Sequence, residues 1–139
     1  MRQDEFIGQS TGLLPEKGEV SWQSPSNIAL VKYWGKKPIQ LPANASISFT
    51  LKNCYSSTTL SFQKANSRSV QVFVDGKEQA SFLKKIETFF ERIESYCPYV
   101  KNYAFKIETE NTFPHSSGIA SSASGFSALA LCVLSIERK

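Results

Sequence analysis

The sequence has few of the residues that build metal and disulfide sites. It contains one histidine, His115, and three widely spaced cysteines, Cys54, Cys97 and Cys132, with no Cys-x-x-Cys pair. Structural zinc sites draw four ligands from cysteine and histidine, so this composition argues against a zinc site. An odd number of separated thiols is typical of a protein kept reduced. We therefore expect free cysteines and a cytosolic environment.

Long apolar runs are lacking as well. No stretch approaches the roughly 20 apolar residues that cross a membrane, and residues 1–5 have none of the apolar character of a signal peptide. The 16 basic and 12 acidic residues give a net charge of +4, and the basic residues are scattered. Such a modest excess favours anionic ligands without indicating nucleic acid. We expect a soluble, cytoplasmic protein with neither membrane nor nucleic acid as a partner.

What is present predicts one α+β domain. Residues 1–19 are polar and contain three glycines and a proline, typical of a loose leader, so the domain is expected over 20–139. Alternation of polar and apolar residues predicts strands, and an apolar stripe of helical period predicts helices. The strands are expected at 46–51, 58–63, 69–74 and 103–107, and the helices at 80–96 and 126–136. This pattern predicts a mostly antiparallel sheet with helices packed on one face, with a hairpin turn at Asp75-Gly76.

The chain is organised around residues 114–125, a run of small and hydroxyl side chains before the second helix. Free N–H groups and the dipole at a helix start attract anions, so this loop predicts a phosphate site. It differs from the common P-loop because no Gly-Lys-Ser/Thr follows. The alternative is a serine-rich loop in which Ser121 or Ser122 merely caps the helix. Gly125 inside the helix predicts close packing on the sheet.

A second cluster joins Lys32, Tyr33 and Lys36 around Trp34 and Gly35. Two ammonium groups and a phenol within five residues can hold a diphosphate or a carboxylate. The alternative is a solvated strand end with Trp34 packed in the core. Together with the first loop, the cluster predicts two phosphorylated ligands.

These two regions carry a family resemblance. Residues 24–36 (SPSNIALVKYWGK) and 41–51 (LPANASISFTL) resemble the opening blocks of the diphosphomevalonate decarboxylases. Residues 114–125 (PHSSGIASSASG) resemble the phosphate loop of the GHMP kinase superfamily, to which those enzymes belong. The resemblance spans roughly residues 20–136. It implies the GHMP-kinase N-terminal fold, which is of the ribosomal protein S5 domain 2-like type.

The resemblance also implies an activity. Such enzymes use ATP and Mg²⁺ to phosphorylate the tertiary hydroxyl of mevalonate 5-diphosphate, and loss of that phosphate with CO₂ gives isopentenyl diphosphate, an isoprenoid precursor. The implied ligands are therefore mevalonate 5-diphosphate and ATP, and the full-length protein is expected to be a homodimer. Other readings are a GHMP kinase that phosphorylates without decarboxylating, and a non-catalytic nucleotide- or diphosphate-binding piece of a split enzyme.

Site residues follow from the resemblance position by position. Lys32 and Ser121 are the expected catalytic residues, and Ser121 or Ser122 is expected near Mg²⁺. The substrate would be bound by Asn27, Tyr33, Trp34, Gly35 and Lys36. The ATP phosphates would be wrapped by Pro114, Ser117, Gly118, Ile119, Ala120, Ser121 and Ser122. His115 is a candidate base, although a supporting or surface role suits its loop position better.

Two parts of the family pattern are missing. Family members are more than twice as long, and the catalytic aspartate and the essential arginine of their later half have no match. The aspartates here are Asp4 in the leader and Asp75 in the predicted hairpin turn. We expect the isolated 139-residue chain to be an inactive fragment.

Overall fold

A computed structural model places two helices against one mixed β-sheet. It describes residues 14–32, 34–38, 41–114 and 117–137. The sheet order is β1-β4-β7-β5-β6, and β2 and β3 form a separate two-stranded ribbon. In chain order the strands are β1 (Lys17–Val31), β2 (Lys36–Lys37), β3 (Leu41–Pro42), β4 (Ile47–Lys64), β5 (Ser69–Val74), β6 (Lys77–Glu78) and β7 (Tyr103–Asn111). The predicted α+β class is confirmed.

The two strands predicted at 46–51 and 58–63 are one strand, β4, which pairs with β1 along most of its length. The register shifts between Pro25 and Ser26, so that Pro25 lies opposite Tyr55 and Ser26 opposite Leu51. The alternation of the sequence is lost at this irregularity because a bulge changes which side chains face the core. The break in polar–apolar alternation between residues 51 and 58 therefore marks a bulge within one strand and not a turn between two strands.

The sheet is mostly antiparallel, as predicted, with one parallel pair. β1 and β7 both run antiparallel to β4, whereas β5 runs parallel to β7. The reason is the connection, since α1 (Ala80–Ile93) and a 3₁₀ helix (Pro98–Asn102) carry the chain back across the sheet. The predicted hairpin joins β5 to β6, with Asp75 at φ 50° and Gly76 at φ 74°.

Both helices are present with different bounds. α1 ends at Ile93, three residues before the predicted end. α2 (Ser121–Ile136) begins five residues before the predicted Phe126, because its first turns of serine and alanine carry no apolar periodicity. The helices bury one continuous core with the sheet, in which Phe90 of α1 stacks on Phe105 of β7 at 4.8 Å.

β1 begins before the predicted domain boundary at residue 20. Lys17 already pairs with Gln63 of β4, and the Tyr103 hydroxyl donates to the carbonyl of Pro15 at 2.7 Å. Residues 1–13 of the predicted leader lie outside the described part of the chain. The last helix, α2, also contacts β1, since Trp22 Nε1 donates to Ser135 Oγ at 2.9 Å. β1 is thus fixed on one side by β4 and from above by α2.

The described residues also bear on cysteine, metal and membrane chemistry. Cys54, Cys97 and Cys132 are free thiols. Over residues 14–32, 34–38, 41–114 and 117–137, no three or more His, Cys, Asp or Glu side chains come together as a metal site. Neither helix in this part of the chain is long and apolar enough to span a membrane.

Candidate functional site

The serine-rich loop leads directly into the first turn of α2. Gly118 has φ 80°, a conformation that side chains with a Cβ rarely adopt, and it turns the chain toward the helix. Ala120 is the N-cap residue, and no described side chain caps the helix. Ser121 and Ser122 lie inside the first turn instead, so the alternative in which one of them is the cap is wrong.

The start of α2 has the electrostatics of an anion site. Its first turn contains no acidic residue, and the helix dipole places partial positive charge there. Ser117, Gly118 and Ser122 are exposed, and Ile119, Ala120 and Ser121 are half-buried. The loop therefore gathers the predicted phosphate-binding residues on an accessible surface, together with exposed Pro114. His115 lies outside the described residues, so its candidate role stays a prediction.

Buried hydroxyls hold this loop on the sheet. Ser26 of β1 donates to the carbonyl of Ala120 at 2.9 Å. Ser124 Oγ lies 2.7 Å from Ser56 Oγ of β4, which in turn lies 2.6 Å from Asn111 Oδ1 of β7. Hydroxyls in an apolar core are costly unless they are hydrogen-bonded, so these contacts fix the loop at a defined height above the sheet.

A cavity of about 90 Å³ opens beside the first turn of α2. It lies between the two helices over the sheet, and its walls are mainly apolar. Its lining includes Val72, Val74, Phe82, Lys85, Ile86, Ile107, Thr109, Asn111, Ser121, Ser122, Gly125, Phe126 and Leu129. A Cβ added at Gly125 would meet no atom within 4 Å, so the expected close packing of this glycine is wrong. Gly125 faces open space at the cavity.

The second cluster lies on a loop beyond β1, and Asn44 holds that loop. Asn44 Oδ1 accepts from the backbone N–H of Trp34 at 2.8 Å, and its amide donates to the carbonyl of Lys32 at 3.4 Å. Gly35, at φ 143°, accepts from the N–H of Ala43 at 3.0 Å. The loop therefore has a defined shape without a hydrophobic core of its own.

The described side chains of this loop face solvent. Trp34 is 91% exposed, so the alternative that it packs in the core is wrong. Lys32 and Lys36 are exposed as well, whereas Tyr33 lies outside the described residues. Lys32, Trp34 and Lys36 thus place two ammonium groups and an indole at the surface.

Ser26 and Asn27 are neighbours on β1 with different hydrogen-bond partners. Asn27 is half-buried, and its amide donates to Ser48 Oγ of β4 at 3.3 Å. The preceding residue, Ser26, carries the hydrogen bond to Ala120. Successive residues of a strand point to opposite faces, so Ser26 faces the phosphate loop while Asn27 faces the other side of β1.

Several residues of the site were not predicted. Asn111 and Lys85 line the cavity, and Asn44 shapes the Trp34 loop. The sequence did contain a signal for Asn44, since an asparagine after Pro42-Ala43 is a common turn residue. Lys85 lies outside the apolar stripe that predicts α1, and such a stripe cannot show that the polar face of a helix borders a cavity. Among the described residues no acidic side chain lines the cavity, and Asp75 lies in the β5–β6 turn.

Three comparisons with known proteins agree with this arrangement. Residues 24–138 match the model of the diphosphomevalonate decarboxylase-like N-terminal domain. A diphosphomevalonate decarboxylase of Gibberella zeae is 37% identical over 123 residues, which cover 78% of this chain and 32% of that protein. The chain thus spans about a third of the length of this relative.

Solved structures give the same result. The mevalonate diphosphate decarboxylase of Staphylococcus aureus superposes with a TM-score of 0.74 at 30% identity, covering 88% of this chain and 37% of that one. The enzyme of Enterococcus faecalis, described for mevalonate diphosphate-mediated ATP binding, gives 0.70 at 32% identity, covering 87% and 38%. Since the matched family model extends over both the Lys32–Lys36 loop and the start of α2, the chain belongs to the diphosphomevalonate decarboxylase family and corresponds to its N-terminal domain.

Proposed function

We propose that this chain is the part of a diphosphomevalonate decarboxylase that binds ATP and mevalonate 5-diphosphate, for conversion to isopentenyl diphosphate and CO₂. The observation that carries the proposal is the hydrogen bond from Ser26 to Ala120. It joins the phosphate loop to the strand that leads into the basic loop. Phosphoryl transfer depends mainly on such positioning of two ligands and on neutralising their charge.

The nucleotide is assigned to the start of α2. Its phosphates would meet the N–H groups and hydroxyls of residues 117–122, and its nucleoside would enter the adjacent apolar cavity, where Lys85 adds a positive charge. Magnesium prefers oxygen ligands and usually keeps phosphates and waters in its shell. The hydroxyls of Ser121 and Ser122 suit such a shared ion, and Ser121 would also orient the transferred phosphate.

The diphosphate of the substrate is assigned to the Lys32–Lys36 loop. Lys36 and the backbone at Trp34 and Gly35 would contact the diphosphate, with Tyr33 beside them. Lys32 would lie near the reacting hydroxyl or carboxylate, and Asn27 would orient the substrate. The exposure of Lys32, Trp34 and Lys36 supports this assignment. So does the pair of hydrogen bonds by which Asn44 shapes the loop.

We expect this chain to bind both ligands without converting them on its own. Its aspartates are Asp4 and Asp75, and Asp75 occupies a hairpin turn. We therefore assign the catalytic aspartate and the essential arginine to a part of the protein outside these 139 residues. The expected behaviour is ligand binding by the chain, with ATP-dependent CO₂ release requiring the remainder of the protein.

Calorimetry with the purified chain tests the assignment of the two ligands. Removing one charged contact to a diphosphate costs roughly 1.5–3 kcal/mol, so Lys36→Met should weaken mevalonate 5-diphosphate binding about tenfold or more. The same variant should leave MgATP binding within about twofold of the parent. Lys77→Met, which removes an exposed lysine in β6, is the matched control and should change neither affinity.

Three results would contradict the proposal. The first is a parent chain that binds neither ligand, and the second is a Lys77→Met variant that loses as much affinity as Lys36→Met. The third comes from product analysis of a protein that includes the remainder: a phosphorylated product without CO₂ would favour a kinase of the same superfamily. Release of CO₂ by the isolated chain would refute the division between binding and turnover.

A further inference from the structure

The buried hydroxyls beside α2 have a defined direction of proton donation. Ser56 and Ser124 are 0% and 1% exposed, so water does not compete for their single hydroxyl protons. Ser124 Oγ lies 2.7 Å from Ser56 Oγ, against 3.1 Å from the Ser121 carbonyl and 3.4 Å from that of Ala120. Ser56 uses its single proton for Asn111 Oδ1, so in its contact with Ser124 it can only accept. Ser124 therefore donates to Ser56, and Ser56 donates to Asn111.

The hydrogen bond from Ser56 orients the side-chain amide of Asn111. Ser56 Oγ lies 2.6 Å from Asn111 Oδ1, and a serine that donates to an amide selects its oxygen. The Nδ2 group must then point the other way. Asn111 lines the cavity, and within the described part of the chain Nδ2 has no hydrogen-bond partner. It is also accessible, because no buried side-chain N or O atom of the described residues lacks a partner.

The other polar groups of the sheet wall are already engaged. Thr109 Oγ1 lies 3.0 Å from Thr58 Oγ1 and 3.3 Å from the Ser57 carbonyl. Asn111 therefore offers two N–H donors at a cavity whose floor is otherwise aliphatic, from Val72, Val74 and Ile107. A donor pair in such a setting suits the ring nitrogens or sugar hydroxyls of a nucleoside better than a phosphate, which would remain strongly hydrated.

We propose that Asn111 is a nucleoside-binding residue, and that Ser56 and Ser124 are positioning residues that hold its amide with both N–H donors toward the ligand. The proposal rests on the nucleotide assignment made above and extends it to a residue on the sheet. In this proposal the backbone N–H groups at the start of α2 bind the phosphates, and the side-chain amide of Asn111 binds the nucleoside. Discrimination among nucleotides is then expected to depend on Asn111.

Two probes, MgATP and magnesium tripolyphosphate, test the contact by calorimetry on the whole 139-residue chain. Asn111→Ala leaves hydrogen-bond acceptors of the nucleoside without a partner, so MgATP should bind about tenfold more weakly. Tripolyphosphate lacks the nucleoside, and its affinity should stay within about twofold. Equal losses for both probes, or no loss for MgATP, would overturn the assignment of Asn111. A parent chain that binds neither probe would overturn the nucleotide assignment itself, and the proposal with it.

A matched pair of variants tests the positioning role. Ser56→Ala removes the donor to Asn111, so MgATP affinity should fall about threefold or more, and the Asn111 side-chain N–H signals should shift in ¹⁵N spectra. Ser124→Ala deletes an equally buried hydroxyl but leaves Ser56 able to donate to Asn111. It should cause a smaller loss and leave those signals nearly in place. Equal effects of the two variants, in affinity and in the spectra, would overturn the positioning role.

Discussion

At the scale of single residues, short polar side chains determine the shape of both binding regions. Asn44 fixes the backbone of Lys32 and Trp34, and Ser26 fixes that of Ala120. The sequence singles out the exposed glycine, lysine and serine residues of both motifs, because these residue types at those spacings suit anionic ligands. The supporting residues were not, since a serine in an alternating strand looks alike whether its hydroxyl faces solvent or a helix.

Glu94 provides a pH-dependent contribution to stability. Its carboxylate accepts from Lys101 at 3.0 Å and from Arg68 at 3.1 Å. These hydrogen bonds, led by that of Lys101, lower the pKa of Glu94 below its ordinary value of 4.5. A lowered folded-state pKa means that the contribution is present above the unfolded-state pKa and is lost as the pH falls through the folded one.

We therefore expect Glu94→Gln to reduce the acid sensitivity of the fold. Thermal midpoints measured between about pH 2 and pH 6 should fall less steeply for this variant than for the parent. Glu91→Gln, an exposed position on α1, is the control and should keep the parental profile. A Glu94→Gln profile parallel to that of the parent over this interval would refute the role of the ion pairs.

At the scale of elements, α2 differs most from what the sequence predicts. Its first turns read as loop because Ser121, Ser122 and Ala123 carry no apolar stripe, yet they are helical. Tertiary contacts explain the difference, since Ser124 is hydrogen-bonded into the sheet one turn into the helix. Packing of this kind overrides weak local propensity. Strand β4 shows the same limit, because its pairing with β1 skips residues 52–54, where the alternation stops, and resumes at Tyr55.

Gly125 offers a test of how α2 balances stability against its cavity. A methyl group at this position meets no atom within 4 Å, and alanine in a helix interior is favoured over glycine by about 1 kcal/mol. Gly125→Ala should therefore raise the free energy of unfolding in urea by up to about 1 kcal/mol. It should also weaken MgATP binding, because the methyl group narrows the cavity that Gly125 lines.

The reverse substitution on the same helix is the control. Ala123→Gly, at an exposed position of the first turn, should lower stability by up to about 1 kcal/mol. A destabilised Gly125→Ala variant would mean that the glycine is needed for packing after all. Unchanged MgATP affinity would mean that the nucleoside does not reach this wall of the cavity.

At the scale of the whole molecule, thiol reactivity reports how the core opens. Cys132 of α2 lies between β1 and β4, with Sγ at 3.5 Å from the Val20 carbonyl and 3.4 Å from that of Thr58. Burial raises the pKa of the Cys132 thiol to about 11, and burial also raises that of Cys97. Because the thiolate is the reactive form, neither group should react while the fold is closed.

Alkylation followed by mass spectrometry checks this expectation. At pH 8, iodoacetamide should modify half-buried Cys54 first, and Cys97 and Cys132 only at the rate of opening. In about 6 M guanidinium chloride all three should react at similar rates, which provides the unfolded reference. Modification of Cys132 as fast as Cys54 in buffer would show that α2 is detached from the sheet.

The family assignment and the α+β class follow from the sequence, because the motifs and the alternation extend over most of the chain. The parallel placement of β5 beside β7 did not follow from it. Periodicity identifies strands but not their neighbours, which depend on how α1 and the 3₁₀ helix return the chain across the sheet. The cavity could not be predicted from the sequence either, since its walls come from both helices and from β4, β5 and β7.

The contact between β1 and α2 has a consequence for biosynthesis. Trp22 meets Ser135, and Ser26 meets Ala120, across about a hundred intervening positions. A ribosome delivers β1 before α2, so while the residues between them are being synthesised the apolar face of the β1–β4 pair has no covering helix. We infer that nascent chains arrested before residue 121 remain open to chaperones and proteases. This domain then commits to its folded state when α2 leaves the ribosome and covers the sheet.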